Sequence, residues 1–519
     1  MCSLCEFLGA GSRVPGSREF ILHSRFYMLH VTFPRTLYPA PRIPYPTSHT
    51  PFPTSKQNNT ILAPYLTTME KLARAMNEKP LMRWGILLLV GFTLFVNYYF
   101  YDAFSTLKDL MTKEFGFTNS DYGLFVSFYS IPNTFLLMAV IGGIVLDKLG
   151  IRRTGFMFIF FMAFGAFLTA YGASRAYTGG GFGYTFMQSF LPQYSPELKM
   201  MLLGRFFFGL GAETSIVVVS KILVKWFKGK DLALAFGLKV GFGRLGTFAA
   251  LQLSPRLAHG GETLDTAIWL AAILVITGLL AFMVYMLFDM KLDKQVEQTA
   301  MNRDKEKFKL SDVLGLLGNR AYVFIAIICV TFYSAVFPFN AFAPDFLLNK
   351  FGMSYEASGQ IASLLPLGTL IFTPLFGFMI DRYGRAASAM ILGSLVLVLV
   401  HTTFTFTHLY PHIPMVLLGV AFSLVPAAMW PSMVKLVPEK QIGTAYGLMY
   451  SIQNLGLWGV PLLAGNILDA TNPAATETLN YTPTMLLFIL LSFLGLLFAL
   501  LLKWQDKKKG YGVDLPLNK

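Results

Sequence analysis

Apolar segments long enough to cross a lipid bilayer recur along most of this chain, and they limit its possible folds more than any other feature. A membrane-spanning helix needs about 20 apolar residues, and about twelve segments of that length follow one another. The predicted spans are 84–102, 122–146, 155–175, 200–224, 232–255, 266–288, 320–344, 357–380, 386–407, 414–435, 441–467 and 483–503. The sequence therefore predicts an all-α integral membrane protein with twelve transmembrane helices.

The charge pattern supports this prediction and sets an orientation. Of the 519 residues, 54% are hydrophobic and only 13% are charged, against about 25% charged residues in an average soluble domain. The net charge of +14 would suggest a nucleic-acid partner in a soluble protein. Here the lysines and arginines cluster between apolar segments, mostly after the even-numbered spans, so no nucleic-acid partner is expected. By the positive-inside rule, those loops and both termini are predicted to be cytoplasmic.

The chain divides into five predicted regions. Residues 1–68 are polar and rich in proline, which predicts a disordered tail or an over-called start. Residues 69–289 and 320–504 form two six-helix halves, and residues 290–319 are the polar cytoplasmic linker between them. Residues 505–519 form a cytoplasmic tail.

An internal repeat relates the two halves. GGIVLDKLGIRR follows the second predicted span and GFMIDRYGR follows the eighth. Glycine allows two helices to approach closely, and the aspartate at each helix end can pair with nearby arginines or cap a neighbouring helix. The residues of this loop motif are Gly143, Asp147, Lys148, Gly150 and Arg152 in the first copy, and Gly377, Asp381, Arg382, Gly384 and Arg385 in the second.

Two charges in the middle of predicted spans are candidates for a functional site. Glu213 and Arg244 are surrounded by apolar and small residues, and a charge at the centre of a membrane helix costs at least ~2.5–3.5 kcal/mol. Both lie at similar depth, so they could form a structural ion pair. They could instead face a cavity, where Glu213 binds an ammonium group and Arg244 binds a carboxylate. The two arrangements could also alternate, with the pair closing when substrate leaves.

Asp102, at the end of the first span, is open to two interpretations. It is either a helix-end charge that faces water or a cavity carboxylate that selects cations or carries a proton. Tyr98 and Tyr101 could offer hydroxyl and ring contacts to a substrate, although tyrosine is also common at membrane interfaces.

Three further candidates lie in the second half. Trp430 precedes a proline that kinks its helix, and its ring could stack on a substrate side chain or cation. Gln453 and Asn454 are buried amides in the eleventh span, and they either join helices or bind a peptide backbone.

Other notable residues have a structural interpretation. Gly237 and Gly241 form a G-x-x-x-G pattern that predicts close helix packing. Arg205 lies near a span end, so we expect its head group to reach the membrane interface. Asp345 is predicted to mark the end of the seventh helix.

No motif for catalysis, cofactors or metals is present. The sequence has no nucleotide-binding loop, no nucleophile elbow and no metal-ligand cluster; the CxxC formed by Cys2 and Cys5 lacks the second pair that a zinc site needs. We therefore expect no enzyme activity, no cofactor and no metal.

The repeated G-x-x-x-D-(R/K)-x-G motif in a 6+6 helix protein resembles the signature of the major facilitator superfamily. Four longer stretches resemble its lysosomal dipeptide uniporter branch: VNYYFYDAFSTL, GRFFFGLGAETS, KWFKGKDLALAFGLKVGFGRLGT and MWPSMVKLVPEKQIGTAYGLMYSIQNLG. This resemblance implies the major facilitator fold, with two pseudo-symmetric halves, and facilitated transport of dipeptides. It also implies that Glu213 and Arg244 hold the two ends of the zwitterion and that Trp430 forms a pocket wall.

The sequence thus predicts a monomeric secondary carrier that moves dipeptides, cationic ones included, by alternating access and uniport. Its partners are a small zwitterionic substrate and the lipid bilayer, and the sequence leaves an accessory subunit unknown. A proton-coupled carrier of amino acids or small organic anions is the alternative, as is a non-transporting sensor. A bacterial inner membrane is the favoured location, or the lysosomal membrane if the protein is eukaryotic.

Overall fold

The protein is described by a computed structural model over residues 76–227, 229–259, 264–296, 315–438, 441–473 and 478–516. Within these ranges every regular element is a helix. The long helices, which are those of 10 or more residues, are numbered in chain order. They are α1 (Pro80–Ala103), α2 (Asn119–Phe128), α3 (Met138–Gly172), α4 (Pro196–Phe227), α5 (Leu232–His259), α6 (Leu264–Val296), α7 (Arg320–Phe351), α8 (Leu364–Tyr383), α9 (Ala386–Phe406), α10 (His412–Leu436), α11 (Ile442–Thr471) and α12 (Thr482–Lys509). The predicted tail 1–68 and the middle of the predicted linker 290–319 lie outside the described residues.

The prediction of an all-α membrane protein is confirmed. Ten helices in the described ranges are long and apolar enough to cross a membrane. The predicted second span, 122–146, is not one continuous helix, because α2 ends at Phe128 and a short helix at Ile131–Phe135 precedes α3. Pro132 lies at this break, where its missing N–H interrupts the helical hydrogen bonds.

The loop motif bends the chain at its second glycine. Gly150 has φ 79° and ψ 172° inside α3, a conformation that is unfavourable for residues with a Cβ atom. It separates the second predicted span from the third. In the other copy, Gly384 has φ 71°, and an added Cβ would lie 2.4 Å from the carbonyl oxygen of Asp514. The motif glycine therefore makes a turn in both halves.

Close helix packing uses other glycines than those predicted. An added Cβ would meet no described atom within 4 Å at Gly143, Gly377 or Gly237, so the predicted close approach at these positions is wrong. The nearest contact at Gly241 would be the Leu370 side chain, at 3.4 Å. At Gly246 a Cβ would lie 2.1 Å from the carbonyl oxygen of Phe95, which shows that α1 and α5 pack backbone to backbone.

Ion pairs join helices on the side of the molecule that carries the Asp147 and Asp381 loops, which we call the motif side. Arg152 lies 2.6 Å from Asp293 and 3.2 Å from Asp289, and Lys225 binds the same two aspartates at 2.6 and 2.8 Å. Asp147 pairs with Lys221 on α4 at 2.5 Å. In the first half the motif aspartate therefore has a lysine of another helix as an ion-pair partner, whereas the predicted partners were nearby arginines.

Candidate functional site

A cavity of about 540 Å³ lies between the first six long helices and the last six. Its size falls within the range of about 300–1,000 Å³ that is usual for small-molecule sites. Three ionisable side chains with formal charge line it: Glu213, Lys239 and Arg244. The rest of the wall is aromatic, amide, hydroxyl and aliphatic, with members that include Asn97, Tyr98, Tyr101, Tyr129, Ser220, Tyr333, Thr369, Phe422, Trp430, Tyr450 and Gln453.

Glu213 is held by a tyrosine. It lies on α4, and its Oε1 accepts a hydrogen bond from the hydroxyl of Tyr129 at 2.8 Å. The Tyr129 ring packs against the Tyr101 ring with centroids 4.6 Å apart. A carboxylate bound to one hydroxyl keeps further acceptor capacity, so Glu213 can also accept a hydrogen bond from a cationic group in the cavity.

Arg244 is held by aromatic rings. Its guanidinium carbon lies 4.9 Å from the Phe422 ring centroid and 5.8 Å from the Tyr98 ring centroid. These cation–π contacts stabilise the charge without using the N–H donors of the guanidinium. Among the described residues, no carboxylate forms an ion pair with Arg244. The structure therefore shows an arrangement in which Glu213 and Arg244 face the same cavity and are not paired with each other.

The opposite wall of the cavity is a cluster of aromatic side chains from the second half. Trp430 stacks on Tyr450 with centroids 4.6 Å apart and on Tyr446 at 5.8 Å. Its indole N–H donates to the hydroxyl of Tyr333 at 2.9 Å. Trp430 is thus held by stacking and by a hydrogen bond, and it lines the cavity.

Asp102 is buried and does not line the main cavity. It is 5% exposed, and its carboxylate accepts hydrogen bonds from Thr247 at 2.7 Å and Asn340 at 3.2 Å. It lines a small neighbouring pocket together with Arg244. The structure thus places this carboxylate where α1, α5 and α7 meet, and not in water at a helix end.

The other predicted site residues divide into those that line the cavity and those that do not. Tyr98, Tyr101 and Gln453 line the cavity. Asn454 is 1% exposed and donates a hydrogen bond to the carbonyl of Tyr450 on its own helix, so it does not reach the cavity.

Arg205 differs from its prediction. It is 1% exposed and lies among four aromatic rings, with its guanidinium carbon 4.8 Å from the Phe125 centroid and 5.3 Å from that of Tyr101. The predicted position of its head group at the membrane interface is wrong. Aromatic neighbours from α1 and α2 stabilise the charge within the protein instead.

Sequence reasoning missed Tyr129, Lys239 and Tyr450 as cavity residues. Tyr129 is followed by the proline break of the second span, and a polar residue beside a helix break is the one signal that could have indicated it. Lys239 had a signal too, since it lies within a predicted span. Tyr450 had none, because tyrosine is ordinary in such helices.

On the side opposite the motif side, which we call the far side, polar contacts join the two halves. Lys108 and Asp345 form an ion pair of 2.7 Å, with side chains only 2% and 3% exposed. The carboxylate of Asp469 on α11 accepts hydrogen bonds from the backbone N–H groups of Asn119 and Ser120, at 3.0 and 2.7 Å. Asp469 therefore caps α2 from the other half, and the far side of the cavity is closed.

Comparison with known proteins gives a family and a fold. The sequence model of the Major Facilitator Superfamily matches residues 90–459 and 323–514. The lysosomal dipeptide transporter MFSD1 of Danio rerio is 31% identical over 441 residues, which are 83% of this chain and 88% of that protein. The nitrite extrusion protein of Bacillus subtilis is 22% identical over 315 residues, 60% of this chain and 73% of that protein. The crystal structure of a D-xylose–proton symporter superposes with a TM-score of 0.60 at 13% identity, covering 81% of this chain and 97% of that one; this likeness shows the fold alone.

Proposed function

The chain belongs to the major facilitator superfamily, and on that premise we propose that it is a facilitative carrier of dipeptides with no enzymatic activity. The observation that carries this proposal is the cavity in which Glu213 and Arg244 present opposite charges without an ion pair between them. The relative named as a dipeptide transporter, 31% identical over most of both chains, supports the choice of substrate. The carrier works as a monomer.

The two charges suit the two ends of a zwitterion. The ammonium group of the dipeptide binds Glu213 beside Tyr129, and the carboxylate binds Arg244, whose guanidinium can donate two parallel hydrogen bonds. Trp430, Tyr98 and Tyr101 provide the walls against which the peptide packs. The amide of Gln453 is then available to the peptide bond. Asp102 contributes indirectly, because it lies beside Arg244 in the neighbouring pocket.

Transport follows from opening the far side while the motif side closes. The Lys108–Asp345 pair and the Asp469 cap join the halves in the structure, so the outward step must break them. Without substrate, Glu213 and Arg244 pair with each other during the return step. That pairing lowers the cost of moving the empty carrier, which uniport requires.

Orientation and location are proposed from the basic residues and from the relatives. The motif side faces the cytoplasm, because the lysines and arginines of the loops cluster there. A bacterial inner membrane is the proposed location, and the lysosomal membrane, which the name of the MFSD1 relative supports, is the alternative.

The test is uptake of a labelled dipeptide into liposomes that contain the purified full-length protein, with and without a pH gradient. We expect saturable uptake at zero gradient that is lost in Glu213→Gln and in Arg244→Ala. Glu197→Gln and Arg256→Ala are matched controls, because they remove the same charges from the same two helices outside the cavity.

Three other outcomes would change this conclusion. Uptake that requires the gradient would replace uniport by proton coupling. Equal loss in the control variants would mean that the assay reports folding and not the site. No uptake of any dipeptide by folded protein would overturn the proposed function.

A small inorganic or organic anion is the second candidate substrate. The relative named as a nitrite extrusion protein and the aromatic cradle of Arg244 favour it, since an anion needs only the cation. Glu213 in the same cavity opposes it electrostatically. The same liposomes distinguish the two: an anion carrier would take up labelled nitrite and would keep or increase that uptake in Glu213→Gln.

A further inference from the structure

A third charged side chain of the cavity is left without a role by the proposed dipeptide site. Lys239 lies on α5, five residues before Arg244 and therefore about 7.5 Å from it along the helix axis. Its Nζ lies 2.5 Å from the hydroxyl oxygen of Ser220 on α4, and both side chains line the cavity. Lys239 thus brings a second cation into the space where a substrate would bind.

Lys239 differs from the other lysines at this end of the first half. Lys221 pairs with Asp147 at 2.5 Å and Lys225 pairs with Asp289 at 2.8 Å. In the described part of the chain, Lys239 has a hydroxyl partner, Ser220, and no carboxylate in an ion pair. A hydroxyl can accept a hydrogen bond from the ammonium group, but it does not neutralise the charge.

Among the residues that the structure describes, the charged side chains around the cavity leave one cation in excess. Arg205, Lys239 and Arg244 carry positive charge, while Asp102 and Glu213 carry negative charge. A zwitterionic dipeptide adds one charge of each sign and leaves this excess unchanged. An excess charge in a poorly solvated site is unfavourable unless a partner neutralises it. A substrate with one additional carboxylate would therefore leave the occupied site neutral.

The distances suit a side chain of the substrate. Ser220 lies seven residues beyond Glu213, about 10 Å toward the motif side. The backbone of a dipeptide extends about 7 Å. Lys239 and Ser220 both lie on the motif side of Glu213 and Arg244, so a side chain that leaves the bound peptide in that direction would meet them.

We propose that Lys239 and Ser220 form a subsite for the side-chain carboxylate of an aspartate or glutamate residue in the dipeptide. This proposal rests on the proposed dipeptide transport and adds a substrate class to it. It also reverses one expectation from the sequence, because a site with an excess cation disfavours dipeptides with lysine or arginine side chains.

The experiment compares peptides that differ only in charge. Uptake of labelled Ala-Ala into liposomes with full-length protein is competed by Ala-Glu and Glu-Ala, by their amide analogues Ala-Gln and Gln-Ala, and by Ala-Lys. We expect an acidic peptide to compete at roughly five- to tenfold lower concentration than its amide analogue, which is the effect of about one partly desolvated ion pair. Ala-Lys should compete less well than Ala-Gln.

Variants test whether Lys239 causes the difference. Because the ratio of acid to amide potency is measured within each variant, a change in overall activity cancels. The ratio should fall to about one in Lys239→Gln and persist in Lys239→Arg. Lys221→Gln is the matched control, since it removes a neighbouring lysine that does not line the cavity, and it should keep the wild-type ratio.

Three results would overturn the proposal. Equal potency of acidic and amide peptides in the wild-type protein would do so without any variant, so a poorly folding Lys239→Gln protein would not prevent the test. A ratio that survives in Lys239→Gln would assign the preference to another residue. Absence of Ala-Ala uptake would instead overturn the proposed function on which the subsite depends.

Discussion

The groups that contact Glu213 and Arg244 directly are uncharged, and this leaves the charges of both side chains available. A hydroxyl group binds the carboxylate and aromatic faces hold the guanidinium. If the two groups formed a direct ion pair, a substrate would have to break that pair, and its own contacts would have to offset the free energy lost. Hydrogen bonds and cation–π contacts orient the groups while leaving much of their electrostatic attraction for a ligand.

Tyr129 provides a test at this scale. Tyr129→Phe removes the hydrogen bond that orients Glu213 and keeps the ring that packs on Tyr101. A hydrogen bond to a charged group contributes about 1.5–3 kcal/mol, so we expect the KM for dipeptide uptake to rise by roughly tenfold or more, with a smaller change in maximal rate.

The control for Tyr129→Phe is Tyr171→Phe. This substitution also removes a tyrosine hydroxyl, whose partner is the exposed carbonyl of Phe182, and should leave the KM unchanged. An unchanged KM in Tyr129→Phe would mean that Glu213 is oriented without the tyrosine.

At the scale of helices, small residues decide which elements lie close enough to place the site. Arg244 lies on α5 and Tyr98 on α1, and Gly243 and Gly246 allow these two helices to touch. An added Cβ at Gly243 would lie 2.9 Å from the Tyr98 ring, and one at Gly246 would lie 2.1 Å from backbone. The contact between Arg244 and Tyr98 therefore depends on the close packing of α1 and α5.

Two glycines of α5 allow a matched test of this packing. Gly246→Ala adds a Cβ against the backbone of α1, whereas Gly237→Ala adds one where the structure has open space. Both changes raise helix propensity by about 1 kcal/mol, and overpacking costs about 1–3 kcal/mol. We expect thermal unfolding in detergent to occur at lower temperature in Gly246→Ala and at equal or higher temperature in Gly237→Ala. The same Tm in both variants would contradict the packing argument.

At the scale of the whole molecule, the far-side contacts set which side of the cavity is closed. The Lys108–Asp345 pair is almost completely buried, so removing one partner leaves an uncompensated charge. Such a loss costs about 3–5 kcal/mol, whereas removing both partners costs much less. The same free energy biases the equilibrium between the far-side-closed state and a far-side-open state.

We therefore expect Lys108→Met to increase the population of the far-side-open state. Spin labels at Phe182→Cys and Leu409→Cys report it, because these exposed residues lie in far-side loops of different halves. Cys2 and Cys5 are replaced in the protein used for labelling, and Cys329 is buried away from the label. Lys108→Met should lengthen the distance between the two labels, measured by double electron–electron resonance. Lys108→Met combined with Asp345→Leu should lengthen it less. Identical distance distributions in all three proteins would contradict this role of the ion pair.

The sequence by itself determined the features that depend on local chemistry and on repetition. Long apolar segments predict helices in lipid, the duplicated motif predicts two related halves, and the cost of an intramembrane charge marked Glu213 and Arg244. Their shared depth followed from the rise per residue.

Only the tertiary structure decided which side chains meet, because contacts between helices depend on their rotation and approach, and these are absent from a linear pattern. In the folded protein Asp102 accepts hydrogen bonds from Thr247 and Asn340, and Arg205 lies among aromatic rings. Asn454 binds a carbonyl of its own helix. The tertiary structure also brought Tyr129 to Glu213 and Lys239 to Ser220. A charge could be recognised from the sequence because its burial is costly wherever it lies, whereas its partner could be known only once the helices were packed.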